Sequence, residues 1–217
     1  MELWDLFDEN RRFLYKQHNR QEPLAPGHYH VVVVVCVVNS KEEILVTLRH
    51  PAKETYANCW ENTGGSVLAG ETSRQGAVRE LKEETGIGVS EEELMLLGSV
   101  RGISAFYDFY VVRKDVELSD IVLQENETAD ARWVTLEKFI RMGEDGTLAE
   151  PVYRRFRQFE EAFWKLIKND GRARHFAPSH VDTRTGDQNK PDSRGMRVVP
   201  MSTTPPPAIN CLMPWDL

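Results

Sequence analysis

Residues 65–87 read GSVLAGETSRQGAVRELKEETGI, a stretch that contains a helix with both ends marked. Thr72, followed three residues later by Gln75, matches a capping box and predicts where the helix starts. Gly86 directly after Thr85 is typical of a left-handed C-cap. The sequence therefore predicts a helix over residues 72–85 that is preceded and followed by loops.

This helix has an apolar stripe and an acidic wedge beside it. At 3.6 residues per turn, the stripe is formed by Ala77, Val78 and Leu81, and the wedge by Glu80, Glu83 and Glu84. The stripe predicts that the helix docks on a core with its glutamates along the edge of a cleft. Like charges one turn apart repel each other. A hard divalent cation such as Mg²⁺, which prefers carboxylate oxygens, relieves that repulsion.

The surrounding chain predicts a sheet with helices. Apolar and polar residues alternate over the first twenty positions on either side of a turn-like Asp8-Glu9-Asn10, which favours a hairpin. The β-branched run Val31–Val38 is typical of a strand buried on both faces. Further strands are predicted over residues 44–48, 60–63 (ended by Gly64-Gly65), 93–100, 106–112 and 130–134, and further helices over 136–142 and 151–167. After Asn169 the chain is poor in apolar residues and rich in proline. We expect a domain over residues 1–168 and a flexible or loosely docked extension over 169–217.

The composition excludes several classes of function. With 217 residues, 41% hydrophobic and 28% charged, the chain is an ordinary globular protein. A net charge of −7 makes nucleic acid an improbable partner. Cys36, Cys59 and Cys211 are too widely spaced for a metal-binding motif, the N-terminus does not resemble a signal peptide, and no apolar run could span a membrane. We expect a cytoplasmic protein without a membrane partner, and the sequence leaves a homodimer open.

The spacing of charged residues around the helix resembles the signature of a known family. Gly65, Glu71, Arg79-Glu80-Leu81, Glu83-Glu84 and Gly86-Ile87 match all nine specified positions of the Nudix box, G-x5-E-x7-R-E-U-x-E-E-x-G-U, where U is apolar. The resemblance extends over residues 1–168. Within the family, Trp4–Asn10, Pro26–His30 and Trp60–Gly65 look like the branch related to isopentenyl-diphosphate isomerase.

The resemblance implies an α/β fold, an α/β/α sandwich around a mixed sheet with a loop–helix–loop catalytic motif. It also implies a Mg²⁺-dependent pyrophosphohydrolase, with Mn²⁺ as a substitute, that cleaves a diphosphate linkage in a nucleoside-diphosphate derivative or a related small molecule. Glu80 and Glu84 would be the prime metal ligands, Glu83 a further ligand, and Gly65 would offer its carbonyl oxygen. Arg79 and Glu71 would form a supporting salt bridge that orients the ligands.

The general base stays open at this point. It is Glu80 or a glutamate on a later loop, for which Glu125 and Glu127 are the best candidates. Two other functions also stay open. His18, His30, Glu125 and Glu127 resemble metal ligands of the isomerase, but Gly64-Gly65 stand where its catalytic cysteine is expected. A Nudix-derived regulator that only binds its ligand would usually have lost box glutamates, and this chain has lost none. The sequence does not identify the substrate.

Overall fold

The computed structural model describes residues 2–168, and the predicted extension over 169–217 lies outside them. The strands within the described residues are β1 (Leu3–Phe7), β2 (Phe13–Asn19), β3 (His30–Val38), β4 (Glu43–Arg49), β5 (Trp60–Glu61), β6 (Thr63–Ser66), β7 (Met95–Arg101), β8 (Ala105–Arg113) and β9 (Thr128–Thr135). The α-helices of the same part of the chain are α1 (Ser73–Thr85), α2 (Leu136–Glu144) and α3 (Glu150–Lys168). Within residues 2–168, no helix is both long and apolar enough to cross a membrane.

The main sheet is mixed and is built around β3. Strands β3 and β8 pair in parallel from His30↔Ala105 to Val38↔Arg113, whereas β4 and β6 pair with β3 in antiparallel fashion. Strand β4 also pairs with both β5 and β9. These pairings place β3 inside the sheet, and its residues are almost all buried, as its unbroken β-branched run predicts.

Helices cover both faces of the sheet, which confirms the expected α/β/α sandwich. Alternate residues of β3 point to opposite sides. Its odd-numbered valines pack with Ala77 and Leu81 of α1. Val34, Cys36 and Val38, on the other side, belong to a cluster with Phe139 of α2 and with Phe156 and Phe163 of α3. The apolar stripe of α1 therefore docks that helix, and its charged side lies away from the core.

One strand boundary predicted from the sequence is wrong. The segment expected as a single strand over residues 60–63 is two short strands that pair with different neighbours, β5 with β4 and β6 with β3. Gly64 and Gly65 do not end the strand; they lie inside β6, opposite Val34 and Val33. Because glycine adds no side chain, the backbone of β6 can lie close to groups that approach it from neighbouring elements.

The predicted N-terminal hairpin is present as β1 and β2. Its turn is organised by Asp8, whose side chain accepts hydrogen bonds from the backbone N–H groups of Asn10 (2.9 Å) and Arg12 (2.8 Å). Arg11 donates two hydrogen bonds to the buried carboxylate of Asp108 on β8, at 2.6 and 2.5 Å. This ion pair fastens the hairpin to the main sheet, so that the residues of β1 can form the wall of a cavity.

Candidate active site

Helix α1 has the ends that the sequence predicts. The hydroxyl of Thr72 accepts from the backbone N–H of Gln75, and the side chain of Gln75 accepts from the backbone N–H of Thr72, which completes the capping box. Gly86 is left-handed, with φ 75°, and its N–H bonds to the carbonyl oxygen of Lys82. With both ends satisfied, the helix holds its glutamates at defined positions along the sheet.

Arg79 joins the helix to the preceding loop and to β6. Its guanidinium donates to both carboxylate oxygens of Glu71 (2.8 and 3.0 Å), to Glu80 (2.9 Å), to Glu83 (3.0 Å) and to the carbonyl oxygen of Ser66 (2.9 Å). Burial acts to raise the pKa of Glu71, but the hydrogen bonds from Arg79 and the Leu68 N–H outweigh it and lower that pKa. The ion pair expected between Arg79 and Glu71 is present, and the fixed fork of the guanidinium holds three glutamates at once.

We expect Arg79→Ala to lower both activity and stability. Loss of the fork leaves Glu71, Glu80 and Glu83 without their shared cation, so activity should fall by roughly 10- to 100-fold because these side chains lose their orientation. The lost hydrogen bonds should cost about 1–2 kcal/mol, which lowers the melting temperature by several degrees. Steady-state kinetics and thermal unfolding measure the two effects.

Arg79→Lys is the matched control, because it keeps the charge and removes the fork. We expect it to recover part of the stability but little of the activity. Lost activity with an unchanged melting temperature in Arg79→Ala would contradict a supporting role, and would point instead to direct contact between Arg79 and the substrate.

Gly65 lies directly beneath the carboxyl group of Glu80. A Cβ atom added at position 65 would overlap all three atoms of that carboxyl group. The glycine therefore lets the side chain of Glu80 lie across β6 while Arg79 holds it from the other side. Burial raises the pKa of Glu80, and nearby charges such as Glu83 and Glu2 act in the same direction against the opposing effect of Arg79.

Glu84 is the centre of a group of carboxylates. Its side chain is half-buried and accepts a long hydrogen bond from the Gly64 N–H (3.4 Å). Burial raises its pKa well above the usual range, and the negative charges of Glu61, Glu80 and Glu127 raise it further. We call Glu61, Glu80, Glu84 and Glu127 the carboxylate centre. The negative charge of this centre is only partly compensated by the protein.

Glu61 and the two cations Arg49 and Lys53 are not predicted as site residues from the sequence. Arg49 pairs with Glu61, and Lys53 with Glu127 of the same centre. Glu61 accepts two hydrogen bonds from Arg49, at 2.9 and 3.1 Å, yet burial raises its pKa to about 7. Lys53 forms an ion pair with Glu127. In the sequence, Glu61 is marked only as an acidic residue within a short predicted strand, just before Gly64 and Gly65.

A cavity of about 1100 Å³ lies beside Arg49 and Lys53, the cations that form ion pairs with Glu61 and Glu127. It lies between the N-terminal hairpin, with the loop that follows it, and the segment after β4; its walls include Glu2, Trp4, Arg20, His30, Arg49 and Lys53. Arg49 and Lys53 line the cavity and also contact the carboxylate centre. A cavity of this size can hold a small organic ligand.

The remaining predicted residues lie at different distances from this centre. Glu83 is half-exposed and contacts Arg79 on the outer side of the helix. Glu127 belongs to the carboxylate centre, whereas the side chain of Glu125 is exposed on the turn before it. His30 is 1% exposed on the cavity wall, where its ring stacks on Trp4 at 3.9 Å between centroids.

Within residues 2–168, no three His, Cys, Asp or Glu side chains are placed so that they could hold a metal ion as they stand. Each member of the carboxylate centre contacts another group of the protein. Arg49 holds Glu61, Arg79 holds Glu80, Lys53 holds Glu127, and the Gly64 N–H contacts Glu84. The donor atoms are nevertheless hard carboxylate oxygens beside a backbone strand, which is the chemistry that Mg²⁺ prefers.

Burial of His30 predicts a pH dependence of stability. Burial, with smaller contributions from Arg20 and His18, lowers the pKa of His30 from 6.5 to about 4. Below pH 6.5, His30 therefore becomes protonated in the unfolded chain, whereas in the folded protein it stays neutral until the pH approaches 4. The stability contributed by neutral His30 is present above pH 6.5 and is lost as the pH falls towards 4, by about 3 kcal/mol at most.

The measurement compares the unfolding free energy of the protein with that of His30→Asn between pH 8 and 4. Other titrating groups cancel in this comparison. We expect the difference in unfolding free energy between the protein and the variant to decrease as the pH falls below 6.5. Two parallel curves would show that His30 titrates normally in the folded state.

Comparisons with known proteins agree with the fold and with the box. Residues 28–156 match the family model of the NUDIX domain. The chain is 45% identical over 147 residues to an uncharacterised Nudix hydrolase of Listeria innocua, and this match covers 67% of the chain and 87% of that protein. A Nudix hydrolase of Listeria monocytogenes, also uncharacterised, is 43% identical with the same coverage.

A solved structure shows the same fold. The crystal structure of DR0079 from Deinococcus radiodurans has a TM-score of 0.62, with 24% sequence identity, and the match covers 73% of this chain and 99% of that one. The family match spans more than half of the chain and includes the whole box, whose loops and helix are placed as described above. The chain therefore belongs to the Nudix hydrolase family and is an enzyme of the pyrophosphohydrolase class.

Proposed function

We propose that this enzyme is a Mg²⁺-dependent hydrolase that cleaves the diphosphate linkage of a nucleoside-diphosphate derivative or a related small molecule. The observation that carries the proposal is the carboxylate centre, in which the charges of three other glutamates act on Glu84. Two of those glutamates form ion pairs with Arg49 and Lys53, which line a cavity of about 1100 Å³. Such a group of oxygen ligands, whose negative charge is only partly compensated by the protein, favours a hard divalent cation, and a diphosphate is the substrate that such cations bring to an acidic site.

The residues that would hold the metal are Glu80 and Glu84, with Glu83 as a further ligand and the carbonyl oxygen of Gly65. When bound, Mg²⁺ or its substitute Mn²⁺ would neutralise the phosphate oxygens and stabilise the leaving oxygen. Arg79 and Glu71 orient these ligands through the ion pair and through the bond to Ser66. Gly65 keeps open the space that Glu80 occupies.

A carboxylate beside the scissile bond would accept the proton of the attacking water. Glu80 and Glu127 are the candidates that the fold brings into the carboxylate centre, and Glu125 is the weaker one because its side chain is exposed on the turn. Burial raises the pKa of Glu80 above its ordinary value, so it binds a proton more readily than an exposed glutamate does.

A panel of diphosphates tests the proposal. Nucleoside triphosphates, nucleotide sugars, dinucleotides and isoprenoid diphosphates are incubated with the enzyme and Mg²⁺, and released phosphate, pyrophosphate and monophosphate products are measured. We expect turnover of at least one class, its loss in EDTA, and its return with Mg²⁺ or Mn²⁺. Turnover unaffected by EDTA would contradict the metal requirement. Conversion of a homoallylic to an allylic diphosphate without hydrolysis would assign an isomerase instead.

A further inference from the structure

One buried carboxylate outside the carboxylate centre has no part in the function proposed above. Asp108 on β8 is 1% exposed, and its two oxygens accept from Arg11 in the turn of the N-terminal hairpin, at 2.6 and 2.5 Å. One of these oxygens also accepts from the hydroxyl of Ser73, the first residue of α1, at 2.5 Å. The Ser73 hydroxyl in turn accepts from Tyr110 at 2.9 Å. A single carboxylate therefore joins the hairpin, the main sheet and the start of α1.

The hairpin side of this link is held in an unfavourable backbone conformation. Arg11 has a φ of 61°, in the left-handed region that arginine seldom adopts. Its guanidinium also donates to the Ser99 hydroxyl at 2.7 Å and lies over the ring of Phe106. Burial acts to lower the pKa of Arg11, but the hydrogen bond and the charge of Asp108 outweigh it and raise that pKa. The contacts with the sheet therefore fix the turn in a conformation that it would not favour alone.

The hairpin also contacts residues 67–72, the segment between β6 and α1, which we call the box loop. The carbonyl oxygen of Leu3 accepts from the backbone N–H of Ala69 at 2.8 Å. The carboxylate of Asp5 accepts from the backbone N–H of Gly70 at 2.8 Å. Both acceptors belong to β1. The hairpin that the buried carboxylate fastens to the sheet is therefore the support on which the box loop lies.

The box loop carries Glu71, which contacts Arg79 directly. The carboxylate of Glu71 accepts from the Leu68 N–H within the loop at 2.9 Å, and from Arg79 at 2.8 and 3.0 Å. Arg79 in turn donates to Glu80 at 2.9 Å. Because a guanidinium fork accepts few geometries, a displacement of the box loop would reach Glu80 through these contacts.

We propose that Asp108 is a positioning residue of the active site. By holding the hairpin turn and the first residue of α1 together, it keeps the box loop in the place from which Glu71 orients Arg79. The purpose of that orientation, to hold the box glutamates for a metal ion, rests on the function proposed above. Asp108 acts through the loop and is not itself a ligand.

Hydrogen exchange tests the link without metal or substrate. Arg11→Met breaks the hairpin side of it, and NMR follows the exchange of the Ala69 and Gly70 amides of the full chain in EDTA. We expect both amides to exchange about 10-fold faster or more, because the strand that accepts from them is no longer fastened. Arg11→Lys keeps the charge without the fork and should restore part of the protection. Phe163→Leu, in the core on the other side of the sheet, is the control for a general loss of stability and should leave both amides unchanged.

Binding of Mn²⁺ alone, measured by electron paramagnetic resonance, tests whether the link reaches the box glutamates. We expect Arg11→Met to raise the Kd for Mn²⁺ about 10-fold. Ser73→Ala breaks the helix side of the link while Thr72 still caps α1, and it should act in the same direction. It also tests the proposal if Arg11→Met does not fold, which thermal unfolding shows.

A double variant separates positioning from two independent losses of stability. Asp5→Ala removes the bond between β1 and the box loop but leaves the pair of Arg11 and Asp108 intact. If both residues act on the same loop, Arg11→Met combined with Asp5→Ala should lose at most about twofold more Mn²⁺ affinity than the weaker-binding single variant. Losses that multiply would overturn the proposal, as would unchanged exchange in Arg11→Met or equally fast exchange in Phe163→Leu.

Failure of this proposal and failure of the proposed function are distinguishable. If Arg11→Met speeds the exchange of the box loop but the diphosphate panel shows no turnover, the positioning of the loop is supported and the proposed function fails. If Mg²⁺-dependent turnover is found but neither exchange nor Mn²⁺ affinity changes in Arg11→Met and Ser73→Ala, the hydrolase is supported and the positioning role of Asp108 is wrong.

Discussion

Glu84→Gln is expected to remove nearly all Mg²⁺-dependent hydrolysis, by about 100-fold or more. Glutamine has the same size as glutamate and can still accept from the Gly64 N–H, so the local structure should persist. Its neutral amide is a far weaker ligand for a hard cation than a carboxylate. Retention of more than about a tenth of the activity would contradict the assignment of Glu84 as a prime metal ligand.

The same substitution should not destabilise the metal-free protein. Glu84 lies among Glu61, Glu80 and Glu127, and removal of its charge relieves their mutual repulsion. We therefore expect a melting temperature that is unchanged or raised without metal, and no increase of that temperature on addition of Mg²⁺, in contrast to the increase expected for the unmodified protein. Glu161→Gln, on an exposed surface of α3, is the control that should change neither activity nor the response to Mg²⁺.

We expect Gly65→Ala to lower activity and Gly64→Ala to lower stability, although the two glycines are adjacent on β6. Neither has a positive φ, so the space available to a methyl group decides the outcome. At position 65 the three atoms nearest to the methyl group all belong to the carboxyl group of Glu80, which can swing away. The protein should keep its stability but lose about 100-fold in activity, because Glu80 is displaced from its place under Arg79.

At position 64 the new methyl group would stand 2.6 Å from the carbonyl oxygen of Val33, in the central strand. That backbone cannot move without disturbing the pairing of β3 with β8, so Gly64→Ala should cost about 1–3 kcal/mol. The melting temperature and the turnover number of each variant are measured and compared with those of the unmodified protein. A loss of stability with normal activity in Gly65→Ala would show that position 65 does not control Glu80.

Much of the fold could be predicted because its signals are local or periodic. The caps of α1 lie within a few residues of the ends that they define, and the unbroken valine run of β3 already indicates burial on both faces. The box residues are also close in sequence, so helical periodicity alone places Glu80, Glu83 and Glu84 on one side of α1. The break between β5 and β6 could not be predicted in this way, because strand pairing depends on which neighbour each residue meets.

The sequence by itself determined α1, the glutamates that it carries and the family. Only the tertiary structure decided what surrounds those glutamates. Strand β4 pairs with β5 at Thr47↔Glu61 and with β9 at Arg49↔Thr128, and these two pairings bring Glu61 and Glu127 to the same place. Such pairing between segments far apart in the chain cannot be predicted from the spacing of residues in the sequence. For that reason the carboxylate centre, its cations and the cavity beside those cations emerge only when the sheet is assembled.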